Sequence, residues 1–399
     1  MSVSSTQNSV PVSHAVSSNG AFDFLPLTRV VFGPGSIRQL GKLAAEFGGK
    51  RVLVVSDAHL VALGHVDRAT RSLREAGLEV AVFDHAYENP TARHVDVCTR
   101  FARDNRIDLI VGLGGGSSMD CAKGCNFILT NGGRMQDYCG VGKATKPMLP
   151  FIAVATTAGT GSEAQSFALI ADDETHQKMA CGDRKAAARA AILDPELTVT
   201  MPPSVTAATG IDAISHAIET YVTTKRNAIS QVYSHEAWRL LEANFETVLR
   251  EPQNIQARGA MLLGANFAGT AIENSMLGAT HACANPLTAH LGLTHGIVIG
   301  IMLPHVIRFN GPAVEHAYAE LIGSASLDVA DYEDSAGCLA ARVTELVARS
   351  GQPLRLRDCG LDRNLIPVLA GEAVHQWTGK FNPRSLEMHN FVELYECAF

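Results

Sequence analysis

Val111-Gly-Leu-Gly-Gly-Gly-Ser-Ser-Met-Asp-Cys-Ala-Lys123 runs from a predicted β-strand directly into a predicted helix. Consecutive glycines at such a junction let backbone amides approach a phosphate closely, and the helix N-terminus offsets the negative charge. The segment matches neither the dinucleotide fingerprint Gly-x-Gly-x-x-Gly nor the P-loop, which ends in Gly-Lys-Ser/Thr. Because glycine also meets purely steric needs in tight turns, this segment by itself predicts either a pyrophosphate site or a plain turn.

Short apolar runs alternate with amphipathic stretches on both sides of this glycine-rich segment. Four of the runs are rich in apolar and β-branched residues and have the length of buried strands: 51–57, 80–83, 107–112 and 151–155. Helical patterns lie between the early strands, which is typical of a parallel sheet covered by helices on both faces. The sequence therefore predicts an α/β fold around the glycine-rich segment.

The pattern changes near residue 201, where Met201 is followed by two prolines. No strand pattern follows, and the apolar spacing predicts successive helices at 204–222, 227–249, 254–275 and onward. The first twenty or so residues are rich in Ser, Val and Asn and contain neither Lys nor Arg. We therefore predict a flexible tail over 1–21, a nucleotide-binding α/β domain over 22–201 and an all-helical domain over 202–399.

Composition and charge favour a small-molecule partner. The 399-residue chain carries a formal charge of −7 and no long cluster of lysines or arginines, which argues against nucleic acid or an anionic membrane as a partner. No run approaches the roughly 20 apolar residues of a membrane span. The nine cysteines include no Cys-x-x-Cys pair, a pattern typical of reduced thiols in a cytosolic protein. We therefore expect a cytoplasmic protein that acts on a small molecule.

A second loop of small residues, Ala155-Thr-Thr-Ala-Gly-Thr-Gly-Ser-Glu163, follows the strand at 151–155. It offers hydroxyls and amides at the same sheet edge as the glycine-rich segment, where ligands bind in open α/β sheets. Together the two loops predict a nucleotide cleft.

Asp57 ends the first strand and has two predicted roles. It either accepts hydrogen bonds from the ribose hydroxyls of NAD, which would disfavour NADP, or caps a helix at 58–64.

Asp212 and His216 form a predicted ligand pair for a divalent metal. They lie four residues apart in a segment with helical apolar spacing, so both side chains project from one helix face. His281 and His295 lie fourteen positions apart among small apolar residues, where an imidazole needs a partner. One carboxylate and three imidazoles suit Fe²⁺ or Zn²⁺ better than Mg²⁺ or Ca²⁺. Each histidine alone is compatible with a core position bonded to a backbone carbonyl, but the set of four favours a metal site.

These segments resemble the iron-containing, or group III, alcohol dehydrogenase family. The motifs that carry the resemblance lie at 114–123, 156–163, 210–219 and 281–295. Shorter matches at 31–35, 88–91, 303–305 and 382–384 extend it to residues 25–399. The resemblance implies a Rossmann-like parallel-sheet domain followed by an all-helical domain, the architecture of dehydroquinate synthase, with the active site between the two.

The resemblance also implies a function and a set of site residues. It implies an NAD-dependent alcohol dehydrogenase or aldehyde reductase that transfers a hydride between a small alcohol and NAD, usually as a homodimer or larger homo-oligomer. Fe²⁺, or Zn²⁺ in some relatives, would be bound by Asp212, His216, His281 and His295. The pyrophosphate side of NAD would be held by Gly115, Gly116, Ser117 and Asp120. The remaining cofactor residues would be Thr156, Thr157 and Thr160 in the cleft, Lys178 near the ribose and Asp57 at the NAD-selecting position.

One position departs from the family pattern. Many relatives carry a further histidine four residues after the first histidine of the 281–295 segment, close to the substrate, whereas this chain has Asn285. Asparagine can hydrogen-bond a substrate oxygen but cannot titrate, so it cannot serve as a proton relay. His290 is a second candidate for the relay, and an ordinary helix-end or core position is its alternative.

Three other functions are compatible with parts of the pattern. A metal-independent reductase of the maleylacetate type shares the fold, but the four retained ligand positions argue against it. A lyase resembling dehydroquinate synthase also pairs NAD with a metal and returns the hydride within one cycle, so net NADH formation separates it from a dehydrogenase. A non-catalytic nucleotide-binding module would leave the four predicted ligands unexplained.

Overall fold

The computed structural model describes residues 21–174, 178–325 and 334–399. The predicted flexible tail, 1–21, lies outside the described residues except for its last position. The described chain begins with an α/β part and continues with a helical part. The strands of the α/β part are β1 (Arg29–Phe32), β2 (Arg51–Val55), β3 (Glu79–Phe83), β4 (Leu109–Gly114), β5 (Gly140–Val141), β6 (Phe151–Ala155), β7 (Phe167–Ala171), β8 (Lys178–Gly182) and β9 (Ala190–Leu193).

Six of these strands form one fully parallel sheet with the order β1-β9-β6-β4-β2-β3. The four predicted strands correspond to β2, β3, β4 and β6, although β4 begins at Leu109 and continues through Gly114. The predicted parallel sheet is therefore confirmed. The sequence pattern does not predict β1 and β9. β9 begins in the alanine-rich stretch 186–191, and alanine is depleted in strands.

Helices cover both faces of this sheet. They are α1 (Leu40–Glu46), α2 (Ala58–Ala62), α3 (His65–Glu75), α4 (Ala92–Asp104) and α5 (Gly116–Asn131). Along β2, Val52 and Val54 pack with residues of α1 to α3, whereas Leu53 and Val55 pack with residues of α4 and α5. Both faces of the strand are thus buried, which explains its continuous apolar run.

The chain changes direction across the sheet between β2 and β4. From β2 it moves outward to β3, and it then returns to place β4 on the other side of β2. Ligands of open α/β sheets bind beyond the carboxyl ends of the strands at such a point. Asp57 follows β2 and the glycine-rich segment ends β4, so both lie at this position.

A second sheet of three strands, in the order β5-β8-β7, packs against α5. β7 and β8 are antiparallel, and Ile170 of β7 packs with Phe127 and Ile128 of α5. The sequence pattern does not predict this small sheet. It matters for the site because β8 begins at Lys178, one of the predicted cofactor residues.

The helical part begins with α6 (Pro203–Val222), where proline is favoured in the first turn because its missing amide needs no partner there. The other helices are α7 (Ala228–Arg250), α8 (Ile255–Asn274), α9 (Ala279–Leu291), α10 (His295–Ser324), α11 (Ser335–Arg349), α12 (Ile366–Ala373) and α13 (Met388–Ala398). α6 packs against α7, α8 and α10 and so lies at the centre. The helices predicted at 204–222, 227–249 and 254–275 correspond to α6, α7 and α8, while the domain boundary at 201 stays a prediction.

Among the described residues, α10 is the one helix long and apolar enough to cross a membrane, with 30 residues and a mean hydropathy of 1.4 in its most apolar window. Of that window, 67% is buried inside the fold. The helix packs against α6 and α11 and bends at Val314, two residues after Pro312. These contacts are those of a core helix, and the first residue of α10 is the predicted ligand His295.

Candidate metal centre and cofactor cleft

Three helices bring the four predicted metal ligands together. Asp212 and His216 lie one turn apart on α6, His281 lies in the first turn of α9, and His295 begins α10. Oδ1 of Asp212 lies 3.4 Å from Nε2 of His216, 3.7 Å from Nε2 of His281 and 3.9 Å from Nε2 of His295. The Nε2 atoms of His216 and His281 are 3.1 Å apart. One carboxylate oxygen and three imidazole nitrogens therefore face one another.

These donor atoms fit a divalent cation. Asp212, His216 and His281 are each only 5% exposed, and Oδ1 of Asp212 makes no hydrogen bond with any of the described residues. A buried carboxylate oxygen without a partner is costly, because it has lost water and gained nothing in return. A cation among the four side chains would satisfy all of them, and a donor set of one oxygen and three nitrogens suits Fe²⁺ or Zn²⁺.

Burial and mutual charge set the protonation of the four groups. Burial opposes ionisation of Asp212, but the neighbouring imidazoles, His216 foremost, outweigh it and lower the pKa of the carboxyl. Burial lowers the pKa of His216, and it lowers the pKa of His295 to about 3. Burial also opposes charge on His281, but the carboxylates of Glu219 and Asp212 outweigh it and raise its pKa to about 9. Two of the three rings are therefore neutral at pH 7, which is the metal-binding form.

Glu219 lies behind His281 and is absent from the predicted site residues. It lies on α6 about two turns after Asp212, and its Oε2 is 2.5 Å from Nδ1 of His281. Its other oxygen, Oε1, accepts the backbone amide of Thr280 at 2.8 Å. The carboxylate thus orients the ring so that Nε2 faces Asp212, as partners of metal-binding histidines commonly do. The available sequence signal was the shared helix face of 212, 216 and 219.

Asn382 holds the start of α9 on another side. Its Oδ1 accepts the backbone amide of Ala279 at 3.2 Å, and it exchanges two hydrogen bonds with Asn310 of α10, at 2.7 and 3.0 Å. A side chain on Gly278 would lie 3.0 Å from Oε1 of Glu219 and 3.1 Å from Oδ1 of Asn382. Glycine therefore lets both polar side chains reach the helix end. Through these contacts, Asn382 of the 382–384 segment fixes the start of α9, the helix that carries His281.

The glycine-rich segment has the predicted strand-to-helix form. β4 ends at Gly114, whose φ of +148° favours glycine, and α5 begins at Gly116 with Gly115 as its N-cap. No side chain caps this end of α5, and its first turn contains no acidic residue. The first backbone amides of the helix are therefore available to an anion.

The second loop packs directly on the first. A side chain on Gly115 would lie 3.2 Å from Oγ1 of Thr157, and one on Gly116 would lie 2.9 Å from Cγ2 of Thr160. Thr156 donates its backbone amide to the last carbonyl of β4 at 3.0 Å, which extends the pairing of the two strands. Close approach of the two loops therefore requires glycine at 115 and 116, and both loops lie at the same sheet edge.

A buried polar cluster beneath the loops ties α5 to the second loop. Nζ of Lys123 donates to the carbonyl and hydroxyl of Ser162, at 2.6 and 2.9 Å, and to the carbonyl of Phe167 at 2.8 Å. The Ser162 hydroxyl donates to Asp120 at 3.0 Å. Burial raises the pKa of Asp120 to about 6, and Lys123 and Ser162 limit the shift. Asp120 thus connects the two loops, while its contact with the cofactor stays a prediction.

The second loop also reaches the helical part. A side chain on Gly159 would lie 2.6 Å from Cβ of Thr209, on the same helix as Asp212. Gly161, with a φ of +60°, lies against α8, where an added side chain would come within 2.6 Å of the Gly269 Cα. The predicted nucleotide cleft and the metal ligands are therefore adjacent, at the junction of the α/β and helical parts.

Two further cofactor residues lie at this edge. Oδ1 of Asp57 accepts the backbone amide of Leu60 at 3.0 Å, so the predicted N-cap is present, and the ribose contact stays a prediction. The cap occupies one carboxylate oxygen and leaves the other free for a second contact. The Ser117 hydroxyl accepts the backbone amide of Asn89 at 3.3 Å, which joins the 88–91 segment to the glycine-rich segment.

Lys178, the first residue of β8, interacts electrostatically with groups of both the cofactor cleft and the metal centre. Its side chain keeps access to solvent, but the protein around it lowers the pKa of the ammonium group, and the carboxylates of Asp120 and Asp212 oppose that shift. Its charge in turn helps to lower the pKa of His295, after burial. The ammonium group therefore lies within electrostatic range of both sites.

Asn285 lies one turn after His281 on α9, in a half-buried position. Its Nδ2 donates to Oε1 of Gln376 at 2.9 Å. His290 lies near the exposed end of α9 and pairs with Glu372 at 2.9 Å. This is the ordinary helix-end position, so the structure does not support His290 as a replacement relay.

Comparison with known proteins agrees with this geometry. Residues 27–195 match the model of the iron-containing alcohol dehydrogenases, and residues 206–399 match that of the C-terminal region of the Fe-containing alcohol dehydrogenase family. The chain is 34% identical to a 1,3-propanediol dehydrogenase of Klebsiella pneumoniae, covering 95% of this chain and 99% of that protein. It is 33% identical to an NAD-dependent methanol dehydrogenase of Bacillus methanolicus, with 94% and 99% covered.

The fold agrees as closely with that of a solved relative. The crystal structure of a 1,3-propanediol oxidoreductase superposes with a TM-score of 0.93 at 33% identity, covering 95% of this chain and 100% of that one. That match includes both the parallel sheet and the helical part. The chain therefore belongs to the iron-containing alcohol dehydrogenase family and is an NAD-dependent oxidoreductase of alcohols and aldehydes.

Proposed function

We propose that Asp212, His216, His281 and His295 hold Fe²⁺ or Zn²⁺, and that a small alcohol and its aldehyde are interconverted beside them. The observation that carries the proposal is a buried carboxylate oxygen without a donor, with three imidazole Nε2 atoms between 3.4 and 3.9 Å from it. When bound, the ion supplies a Lewis acid that lowers the pKa of a substrate hydroxyl or polarises a carbonyl.

NAD lies across the two loops in this proposal. The uncapped N-terminus of α5 supports binding of the pyrophosphate by the amides of Gly115, Gly116 and Ser117, because helix ends favour anions. The other predicted contacts are Asp57 at the adenosine ribose, Thr156, Thr157 and Thr160 along the cleft, Asp120 on the pyrophosphate side and Lys178 near a ribose. The adjacency of the second loop and α6 supports a nicotinamide ring close to the metal ligands. Alignment of the hydride donor and acceptor supplies much of the rate.

Asn285 is the proposed polar contact for the substrate oxygen or a neighbouring hydroxyl. Its position one turn from His281 places both side chains on one face of α9. The hydrogen bond to Gln376 supports a fixed orientation of the carboxamide. Because an amide does not titrate between pH 5 and 9, we expect no ionisation of this residue in the pH profile.

The test compares H281A with H290A, two histidine substitutions on the same helix. H281A should lose bound metal and most alcohol oxidation while it still binds NADH, measured by metal analysis, NADH formation and NADH fluorescence. H290A should retain all three properties, because His290 lies at the exposed end of α9 and contacts Glu372 rather than the metal ligands. Undiminished turnover by wild-type protein from which the metal has been removed would refute the proposed metal centre.

The same assays separate the alternative functions. A maleylacetate-type reductase would keep its activity after chelation, and a lyase that returns its hydride would form no net NADH. A dehydrogenase forms NADH in proportion to the aldehyde that it makes. We expect activity lost on chelation, restored by Fe²⁺ or Zn²⁺, and stoichiometric NADH.

The domain division, assembly and location are part of the proposal. The α/β domain over 22–201 would bind NAD, and the helical domain over 202–399 would hold the metal.

β1 is an edge strand whose Val30 and Phe32 are 43% and 47% exposed, and an exposed apolar edge supports pairing with a second copy in a homodimer or larger oligomer. Nine free cysteines support a cytoplasmic protein. Light scattering of the wild type and F32D tests the assembly, and cell fractionation tests the location.

A further inference from the structure

We propose that the stacked rings of Phe167 and Trp377 form one wall of the substrate passage and select short, unbranched primary alcohols and their aldehydes. The inference rests on the alcohol and aldehyde chemistry proposed for the neighbouring metal centre. It adds the two side chains that choose among such substrates. Neither residue is among those predicted from the sequence.

The two rings meet across the junction of the α/β and helical parts. Phe167 begins β7, and Trp377 begins the 3₁₀ turn Trp377–Phe381 that follows α12. Their ring centroids are 5.9 Å apart with an interplanar angle of 22°, so the rings are stacked. Trp377 remains 36% exposed. The pair therefore lies where the junction opens to solvent.

The turn that carries Trp377 packs directly on the helix of the metal ligand. Gln376, the residue before it, accepts a hydrogen bond from Asn285 at 2.9 Å. Asn285 lies one turn, a rise of about 6 Å, from His281. A side chain on Gly379, in the same turn, would lie 3.3 Å from Cβ of Ala282, the neighbour of His281. These contacts hold the turn that carries the indole against α9, at Asn285 and at the neighbour of the metal ligand.

The phenylalanine side of the wall is rigid. The carbonyl of Phe167 accepts the buried Lys123 ammonium at 2.8 Å, and Glu273 binds both the amide and the hydroxyl of Ser166 at 2.9 and 2.7 Å. The Phe167 ring covers Gly182, where an added side chain would come within 2.4 Å of it. A ring held at its backbone and against a neighbouring strand cannot move aside cheaply.

The tryptophan side is held through its neighbours in sequence. Trp377 lies edge-on to Phe381, with centroids 6.3 Å apart and planes at 85°, and Lys225 lies 4.6 Å from the centre of the Phe381 ring.

The two rings select substrates by the size of the alkyl chain. A short apolar chain can lie against such a wall. A long or branched chain must displace the indole from its stack, and single methylene groups change enzyme selectivity by roughly 10 to 200-fold.

The test measures kcat/KM with NAD for 1-propanol, 1-hexanol and 3-methyl-1-butanol. W377A and F167A should each shift the ratio toward the two larger alcohols by about tenfold or more. W377F keeps a ring at the position and should retain most of the wild-type selectivity. F24A is the matched control, because Phe24 pairs with Tyr233 of α7 at 6.3 Å rather than with either ring. Equal selectivity in W377A, F167A and the wild type would overturn the proposal.

Tryptophan fluorescence gives a readout that does not need turnover. The chain has two tryptophans, and Trp238 is fully buried with its indole bonded to the Leu321 carbonyl. The difference in emission between the wild type and W377F therefore isolates Trp377. Adding 1-propanol to the NADH complex, which has no hydride acceptor for the alcohol, should change that difference, and no change would count against a substrate wall. A change in this complex, combined with no NADH formation in the separate assay with NAD, would support the wall while refuting the proposed reaction.

Discussion

The metal centre and the cofactor cleft lie side by side but are built from different parts of the chain. The metal centre consists of side chains from three helices, and its ligand set is defined by their chemistry. The cofactor cleft consists mainly of backbone, with glycines, small residues and an open helix end after β4 and β6. The first site should therefore be sensitive to the loss of one functional group, and the second to the addition of volume.

The two sites also differ in how they handle charge. The buried oxygen of Asp212 lacks a donor, and a positive ion would compensate it. In the cleft, the buried charges of Asp120 and Lys123 are already bound by protein groups, chiefly Ser162. The cleft is therefore complete before the cofactor arrives, whereas the metal centre is complete only with its ion.

The largest expected effect is that of D212A. It removes the only carboxylate of the predicted ligand set, so the ion should be lost and alcohol oxidation should fall by about 10³-fold or more. Metal analysis and NADH formation measure these losses, and NADH fluorescence should show that the cofactor still binds. D67A, on the exposed face of α3, is the control. Metal retained at the wild-type level would mean that the carboxylate is not a ligand.

E219Q tests whether the carboxylate behind the metal centre belongs functionally to it. The amide keeps the size of the side chain but loses the charge that orients His281, so metal affinity should fall by roughly 10 to 100-fold while NAD affinity stays the same. A chelator competition measures the affinity. E372Q removes the charge from the exposed carboxylate that pairs with His290, and it should change neither the metal affinity nor the NAD affinity. An unchanged metal affinity in E219Q would show that Glu219 stabilises the fold without contributing to metal binding.

G116A should affect the cofactor cleft alone. Its methyl group would lie 2.9 Å from Cγ2 of Thr160, so the two loops must separate, and overpacking of this kind costs about 1 to 3 kcal/mol. We expect NAD affinity to fall by about tenfold with no change in metal content. G323A is the control, because a side chain added there would meet none of the described residues within 4 Å, apart from its own helix backbone. Metal loss in G116A would show that the two sites are not separable.

The smallest expected effect is the pH dependence of metal uptake by metal-free protein. Glu219 and Asp212 raise the pKa of His281 to about 9, so the protonated ring stabilises the metal-free fold most below pH 6.5 and loses this effect as the pH rises through 9. The ion must displace that proton. Zn²⁺ affinity should therefore increase severalfold per pH unit between pH 7 and 9. Calorimetric titration in several buffers measures it, and a flat profile would contradict the coupling.

The sequence allowed some features of the metal centre and the cofactor cleft to be predicted and not others. The strand-to-helix turn at 111–123 and the four ligand candidates were recognisable, because consecutive glycines and clustered Asp and His residues are unusual in any context. β1 and β9 were not predicted, and β9 begins in an alanine-rich stretch whose composition does not favour a strand. Glu219 was within a recognised segment, but only its contact with His281, 62 residues away, reveals its role.

The substrate wall was beyond reach for a different reason. Phe167 and Trp377 are ordinary apolar residues in their own segments, and their stacking depends on how β7 meets the turn after α12. Asn285 was recognised as a departure from the family pattern, yet its partner Gln376 lies 91 positions away. Long-range pairs of common residues leave no local mark in a sequence.

The sequence by itself determined the class of fold, the two glycine-containing loops and the identity of the four ligand candidates. These depend on local periodicity and on rare residue types, which short segments carry without help from the rest of the chain. The tertiary structure alone decided that α6, α9 and α10 bring the four side chains together, that Glu219 orients His281 while Asn382 holds the start of α9, and that two distant aromatic rings stack. Those features arise from close packing between distant segments, where distances of a few ångströms decide every contact.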